Sequence, residues 1–312
     1  MKMKSSSNSA HWLLTSVLAG ACLLLASCVT TSSAGAKAPK RVLVVTTTSG
    51  FRHSSIPTAE KVIGELAQKS GAFTVDYARV EPNDSQFKGA DGKVDKAKVE
   101  AAIQAVLAEK MSAAALKNYD GIIFANTTGD LPLPDQQAFF DWIKAGHAFI
   151  GMHSATDTLH GHPPLGPLTP YTLMIGAEFK AHHAQAEVDC LNQDPKHPAC
   201  CNFGPTFHVK DEIYLMNGFE RNSVHGLLAL DKHPNDKTPG DYPISWCKAY
   251  GKGRVFSTSL GHREDVWDPN TPVSFKRENS PEVALAYQKH ILGGIKWALG
   301  LEPGDATPQT AK

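Results

Sequence analysis

The strongest constraint on this chain is a series of short apolar runs, each ending in a polar turn that leads towards a helix-length amphipathic segment. Arg41-Val42-Leu43-Val44-Val45-Thr46-Thr47, Gly121-Ile122-Ile123-Phe124-Ala125 and His147-Ala148-Phe149-Ile150-Gly151-Met152 lack the alternation of half-exposed strands. A strand apolar on both sides is buried between two layers, which is the situation of a parallel sheet covered by helices. Phe73 to Ala78 reads as one more strand. Residues 57–69 read as a helix: Pro57 suits its first turn, and Ala59, Val62, Ile63 and Leu66 form its apolar stripe. Residues 94–107 and 134–144 follow the same logic, the latter turning Phe139, Phe140 and Ile143 inward. Strand and helix alternating in this order predict an α/β fold with a mainly parallel sheet and helices on both faces.

The second half is less regular. Strands are expected at 186–189, 207–209, 223–230, 244–250 and 254–259, and a closing helix at 282–299. No internal repeat and no linker interrupts 41–301, so one domain is expected there, followed by a disordered tail over 302–312.

The first residues have a separate role. Lys2 and Lys4 precede an apolar run from Trp12 to Ala26, too short for the roughly 20 residues of a spanning helix. The run ends in Leu25-Ala26-Ser27-Cys28, small residues before a thiol, as a lipoprotein signal peptidase site requires. The expectation is a signal peptide over 1–27, a lipid-modified Cys28 that ties the protein to the membrane, and a flexible Ser/Thr/Ala/Gly/Lys tether over 28–40. Val29, where an aspartate would retain the protein at the inner membrane, resembles lipoproteins sorted to the outer membrane, facing the periplasm. Formal net charge is zero and no basic block is present, so nucleic acid is not expected as a partner. In an oxidising compartment, Cys190, Cys200, Cys201 and Cys247 are candidates for disulfides, with free thiols as the alternative. Adjacent Cys200 and Cys201 lack zinc-ligand spacing.

In open α/β sheets ligands bind beyond the carboxyl ends of the strands. Phe51-Arg52-His53, His153-Ser154-Ala155-Thr156-Asp157 and Gly261-His262-Arg263 each follow a predicted strand and would converge there. Phe179-Lys180-Ala181-His182-His183 adds more imidazoles, with Glu178 and Glu187 nearby. Asp211 and Glu212 are candidate carboxylates, of which strand parity lets at most one face the site; Tyr214 shares the side of Glu212. Trp246 and Tyr171 are candidates to stack on a sugar face, with ordinary core packing as the alternative. The remaining histidines, His160, His162, His197, His208, His225, His233 and His290, are read as structural. No Gly-x-Gly-x-x-Gly and no phosphate-cradling Gly-Lys-Ser/Thr loop is present, so no nucleotide cofactor is expected.

The same segments resemble the trehalose-utilisation (ThuA-like) family. They are Gly50-Phe51-Arg52-His53 with Ser55-Ile56, Gly151-Met152-His153-Ser154-Ala155 with Asp157, and Ile175-Gly176-Ala177-Glu178-Phe179 followed by His182. Asp211-Glu212-Ile213-Tyr214, the stretch from Pro243 to Trp246, Gly251-Lys252-Gly253-Arg254-Val255-Phe256, Leu260-Gly261-His262 and Gly294-Ile295-Lys296-Trp297-Ala298 continue the match in order. The resemblance implies a flavodoxin-like fold similar to the class I glutamine amidotransferase domain. There the turn after the fourth strand presents a nucleophilic cysteine; here it carries His153 and Ser154, which excludes thiolate amide chemistry.

The resemblance also implies carbohydrate utilisation, with oxidised (3-keto) glycosides as substrates. On that reading His53, His153, Asp157 and His262 are the catalytic candidates. Arg52, Ser154, Tyr214 and Trp246 are candidates for binding substrate, and His182, His183 and Glu212 for holding a divalent metal such as zinc. The histidines suit metal binding, metal-free acid–base work or sugar hydrogen bonding. Two other classes stay open: a non-catalytic sugar-binding or scaffolding lipoprotein, and a serine-type ester or amide hydrolase through Ser154, although its serine falls one place late for a nucleophile elbow.

Overall fold

The computed structural model describes residues 38–161, 166–273 and 276–309. The expectations for the signal peptide, Cys28 and the tether to residue 37, together with His162, lie outside the described residues. In chain order the elements are β1 (Lys40–Val45), α1 (Ile56–Ser70), β2 (Phe73–Ala78), α2 (Lys96–Met111), α3 (Ala113–Leu116), β3 (Gly121–Ala125), α4 (Gln136–Lys144), β4 (Ala148–Met152) and α5 (Pro170–Ile175). They continue with β5 (Glu178–His182), β6 (Ala186–Asn192), β7 (Thr206–Asp211), β8 (Tyr214–Asn217), β9 (His225–Lys232), β10 (Pro239–Tyr250), β11 (Gly253–Thr258), α6 (Glu264–Trp267) and α7 (Pro281–Ala298).

The main sheet has nine strands in the order β2-β1-β3-β4-β11-β10-β9-β6-β7. The first five are mutually parallel; β10, β9, β6 and β7 extend the sheet with antiparallel pairings. Period-2 alternation divides β1 between two cores. Val42 and Val44 pack with Ile63 of α1 and Ile291 and Ile295 of α7 in one cluster of buried residues. Leu43 and Val45 pack with Ile103 and Leu107 of α2 and Phe139 of α4 in the other. This is the expected flavodoxin-like arrangement, with its parallel character confined to the first five strands of the sheet. β5 and β8 form a separate antiparallel pair, and neither was expected from the sequence.

Two expectations are corrected here. The tail expected to be disordered is held to the domain as far as Gln309, because its polar groups satisfy the backbone and side chains beside β9. Gln309 donates its backbone N–H to Val224, and His225 Nδ1 lies 2.9 Å from the Thr307 carbonyl. The four cysteines are all unbridged. Cys200 Sγ is directed at the Leu227 carbonyl and Cys247 Sγ at His197 Nε2, not at another sulfur.

Candidate functional site

The carboxyl ends of β1, β4 and β11 meet at one place in the sheet. After β1 the chain makes a close turn against the loop after β3. Ser49 and Gly50 donate backbone N–H bonds to the Thr128 carbonyl, and Gly129 sits so near that a Cβ there would lie 2.7 Å from Gly50 N. Gly129 has φ 76°, so glycine serves both the conformation and the approach. This turn delivers His53 to the start of α1, where it is buried.

His153 directly follows β4 and adopts φ 47°, a left-handed conformation rare for a non-glycine residue. The strand therefore breaks sharply into a short 3-10 turn, His153–Asp157, and the imidazole points to the strand ends. His262 lies in the loop after β11. Glu212 joins β7 to β8 and reaches the same point from the antiparallel half of the structure.

One ligand atom each from His53, His153, Glu212 and His262 fall within 4.8 Å of one another. His53 Nε2 and His153 Nε2 are 3.2 Å apart, and Tyr214 OH is 3.2 Å from the same His153 nitrogen. Glu212 Oε1 lies 3.2 Å from His262 Nδ1, and its Oε2 lies 3.1 Å from His182 Nδ1. Ser154 Oγ is 3.3 Å from His53 Nδ1. His153 Nδ1 is 2.9 Å from the Ser259 carbonyl, an acceptor only, so Nδ1 carries the hydrogen and Nε2 presents a lone pair.

Burial controls the charges. It holds His153 well below the ordinary histidine range, and the neighbouring His53 and His262 lower it further. His53 falls to about 4, first through burial and then through His262, against the opposing pull of Glu212. His262 goes the other way: burial works against its charge, but Glu212, Asp211 and Glu264 outweigh it. The result is a carboxylate flanked by imidazoles, two of which are kept neutral. Deprotonated nitrogens with fixed tautomers are what a divalent metal such as zinc requires, and hydrogen bonds behind the ligands usually fix them. The Ser259 carbonyl serves His153 in this way, and His262 Nδ1 is a buried nitrogen that makes no aligned hydrogen bond. The residues fit a metal.

A family model described as trehalose utilisation, ThuA, matches residues 41–277. The chain belongs to the ThuA family. The fold of two solved ThuA-like proteins agrees with this. One, from Bacteroides uniformis, superposes with a TM-score of 0.57 at 18% identity, covering 84% of this chain and 93% of that one. The other, from Parabacteroides merdae, gives a TM-score of 0.59 at 18% identity, covering 88% and 94%. A search of curated proteins found no match.

Within this ThuA domain the residues singled out from sequence divide sharply. His53, His153, Ser154, His262, Glu212, Tyr214 and His182 come together. Asp157 lies beside the group but bonds His160 Nε2 at 3.0 Å instead. Arg52 turns towards β2, pairing with Glu81 at 2.8 Å. Trp246 is corrected from a sugar-stacking residue to a core one: it is fully buried and its indole N–H donates to the Ile175 carbonyl. Tyr171 is likewise buried, donating to the Ala155 carbonyl. His183 is not brought to the cluster: its ring lies edge-on to His233 at 5.3 Å. His182, the last residue of β5, instead sets its Nδ1 3.1 Å from Glu212 Oε2.

One contributor was missed. Asn126, immediately after β3 and with φ 57°, donates to Ser55 Oγ and to the Gly261 carbonyl, each at 2.9 Å. A polar residue just past a fully apolar strand was the available signal. Phe51 stands 68% exposed with its ring edge-on to His53 at 4.8 Å.

Proposed function

We propose that this ThuA-family protein cleaves 3-keto glycosides at the cluster of His53, His153, Glu212 and His262, by elimination followed by hydration and with a divalent metal bound. The observation that supports this reading is the convergence of four metal-competent donor groups within 4.8 Å, at the strand ends where α/β folds bind ligands. Bound there, the metal would supply positive charge for the oxygen of a ketone becoming an enolate.

The chain's own residues have separable tasks. His53, His153 and His262 would hold the metal through ring nitrogens, and Glu212 through a carboxylate oxygen. Ser259 orients His153 through Nδ1, and Tyr214 places its hydroxyl beside Nε2, where it can reach a substrate oxygen once the metal takes the ring's lone pair. His182, the most open histidine of the group, has Nδ1 against Glu212 and its other nitrogen free to take a proton. A 3-keto group acidifies the C2 proton. His182 removes that proton, the C1–O bond breaks, a C1=C2 double bond forms, and the departing oxygen receives the proton. Water then adds its hydrogen to C2 and its hydroxyl to C1, which regenerates the sugar.

Ser154 Oγ near His53 favours a second reading as a serine hydrolase. Against it, the far nitrogen of His53 faces His153, where a triad would have a carboxylate. The reading also includes export: Leu25-Ala26-Ser27-Cys28 supports lipid anchorage, and Cys28→Ala should release the protein from the membrane fraction.

The deciding experiment combines metal analysis of the purified protein with turnover of 3-keto-trehalose followed by NMR, on the wild type and on His53→Ala, His153→Ala and His262→Ala. Stoichiometric metal and turnover, both lost in the variants, support the proposal. Unchanged 3-keto-trehalose in the presence of added zinc or manganese overturns it, and labelling of Ser154 by a fluorophosphonate would favour the hydrolase.

A further inference from the structure

The loop that carries His262 is held by a residue that never touches the cluster. Asp211, the last residue of β7, is fully buried. One of its carboxylate oxygens accepts the backbone N–H of Gly261 at 2.6 Å, and the other accepts that of Arg263 at 3.1 Å. These are the residues immediately before and after His262. The next residue in the chain, Glu212, reaches the His262 ring itself. One dipeptide therefore grips the same loop twice, through its backbone and through its side chain.

The opposite side of Gly261 is equally fixed. Its carbonyl accepts from Ser55 Oγ, Asn126 Nδ2 and Trp267 Nε1 at 3.1, 2.9 and 2.7 Å. Gly261 has φ 120°, and a Cβ there would meet the Trp267 ring at 3.0 Å. The peptide before His262 is thus clamped on one side by Ser55 just ahead of α1, Asn126 just past β3 and Trp267 of α6, and by Asp211 on the other. Asp211 is the anionic member of that clamp, and charge-assisted bonds from two N–H groups give it a directional hold.

We infer that Asp211 is a positioning residue that sets where His262 presents its ring to Glu212 and the cluster. The inference rests on the proposed cluster, but its geometry does not depend on a metal. Asp211→Asn keeps the shape and replaces one acceptor by an amide that must face an N–H donor.

The test is a cobalt(II) titration of purified wild-type and Asp211→Asn protein, read by the visible d–d bands. It is paired with long-range 1H–15N spectra of the His262 ring without metal. Asp265→Asn serves as the control, since Asp265 is buried nearby and bonds the Arg263 side chain, not the loop backbone. The expected result is a cobalt affinity lower by about 10- to 100-fold with altered d–d bands and a shifted His262 ring signal, none of which Asp265→Asn produces. If Asp211→Asn does not fold, Asp211→Ser, which retains one small acceptor, takes its place. A folded variant with unchanged bands, affinity and His262 signal overturns the inference. If the wild type binds no cobalt, the metal reading fails, and the His262 ring signal alone decides the role of Asp211.

Discussion

His153 Nδ1 lies 2.9 Å from the carbonyl of Ser259, so the histidine at the elbow after β4 takes its ring orientation from the residue immediately after the neighbouring strand, β11. The bond fixes the tautomer, and burial then keeps the ring neutral. His153 should appear in 15N spectra as the Nδ1–H form and show no protonation step near pH 6.5, where an unperturbed histidine titrates. A step near that pH would contradict the assigned tautomer and burial.

Glu212→Gln should weaken zinc binding by at least about 10-fold in equilibrium dialysis, because the amide retains one acceptor but loses the charge that faces His262 and His182. The fold should persist, as the Glu212 side chain serves the cluster and not a hydrophobic core. Equal zinc affinity in the variant would remove Glu212 from the site.

Tyr214→Phe and Trp246→Phe should behave oppositely. Tyr214→Phe removes the hydroxyl beside His153 and should lower turnover of a 3-keto glycoside while leaving urea stability nearly unchanged. Trp246→Phe strands the Ile175 carbonyl in the core and should cost about 1–3 kcal/mol of stability, with turnover preserved in the folded fraction. A large loss of turnover in folded Trp246→Phe protein would restore a role for Trp246 in binding.

Acid should weaken the fold through histidines outside the site. His290 and His197 are buried and lowered to about 4. In the unfolded chain they take up protons below about pH 6.5, whereas in the folded protein they stay neutral until about pH 4. Stability is therefore full above pH 6.5 and falls as pH drops towards 4, by up to about 3 kcal/mol for each histidine. Asp211 has the opposite sign: burial pushes it up to about 6, so its contribution favours the fold at low pH and is lost as pH rises through 6. His290→Phe isolates one histidine. In urea melts its stability difference between pH 7.5 and pH 4.5 should be smaller than that of the wild type, and an equal difference would contradict the assignment.

The parallel half of the fold was legible because β1, β3 and β4 are apolar on both faces, a pattern with few other outcomes. The pair β5 and β8 was not, because Glu-Phe-Lys-Ala-His and Tyr-Leu-Met-Asn are short and mostly half-buried or exposed, and they pair only with each other. His53, His153 and His262 were legible because each follows a strand whose carboxyl end fixes its place. Strand parity allowed one of Asp211 and Glu212 to face the cluster; Glu212 is the one that reaches it, but from the connection between β7 and β8, where parity does not apply. Nor could parity show that Asp211 serves the same loop from behind, since that depends on a backbone approach between segments about fifty residues apart. Trp246 illustrates the limit of composition: an aromatic residue beside a motif looks the same in sequence whether it meets a ligand or a backbone carbonyl.

The chain enters β1 at Lys40, at the amino end of a strand whose carboxyl end leads to His53. A load applied at Lys40 therefore enters the sheet at the amino end of an internal strand, with the length of β1 between it and the turn that carries His53.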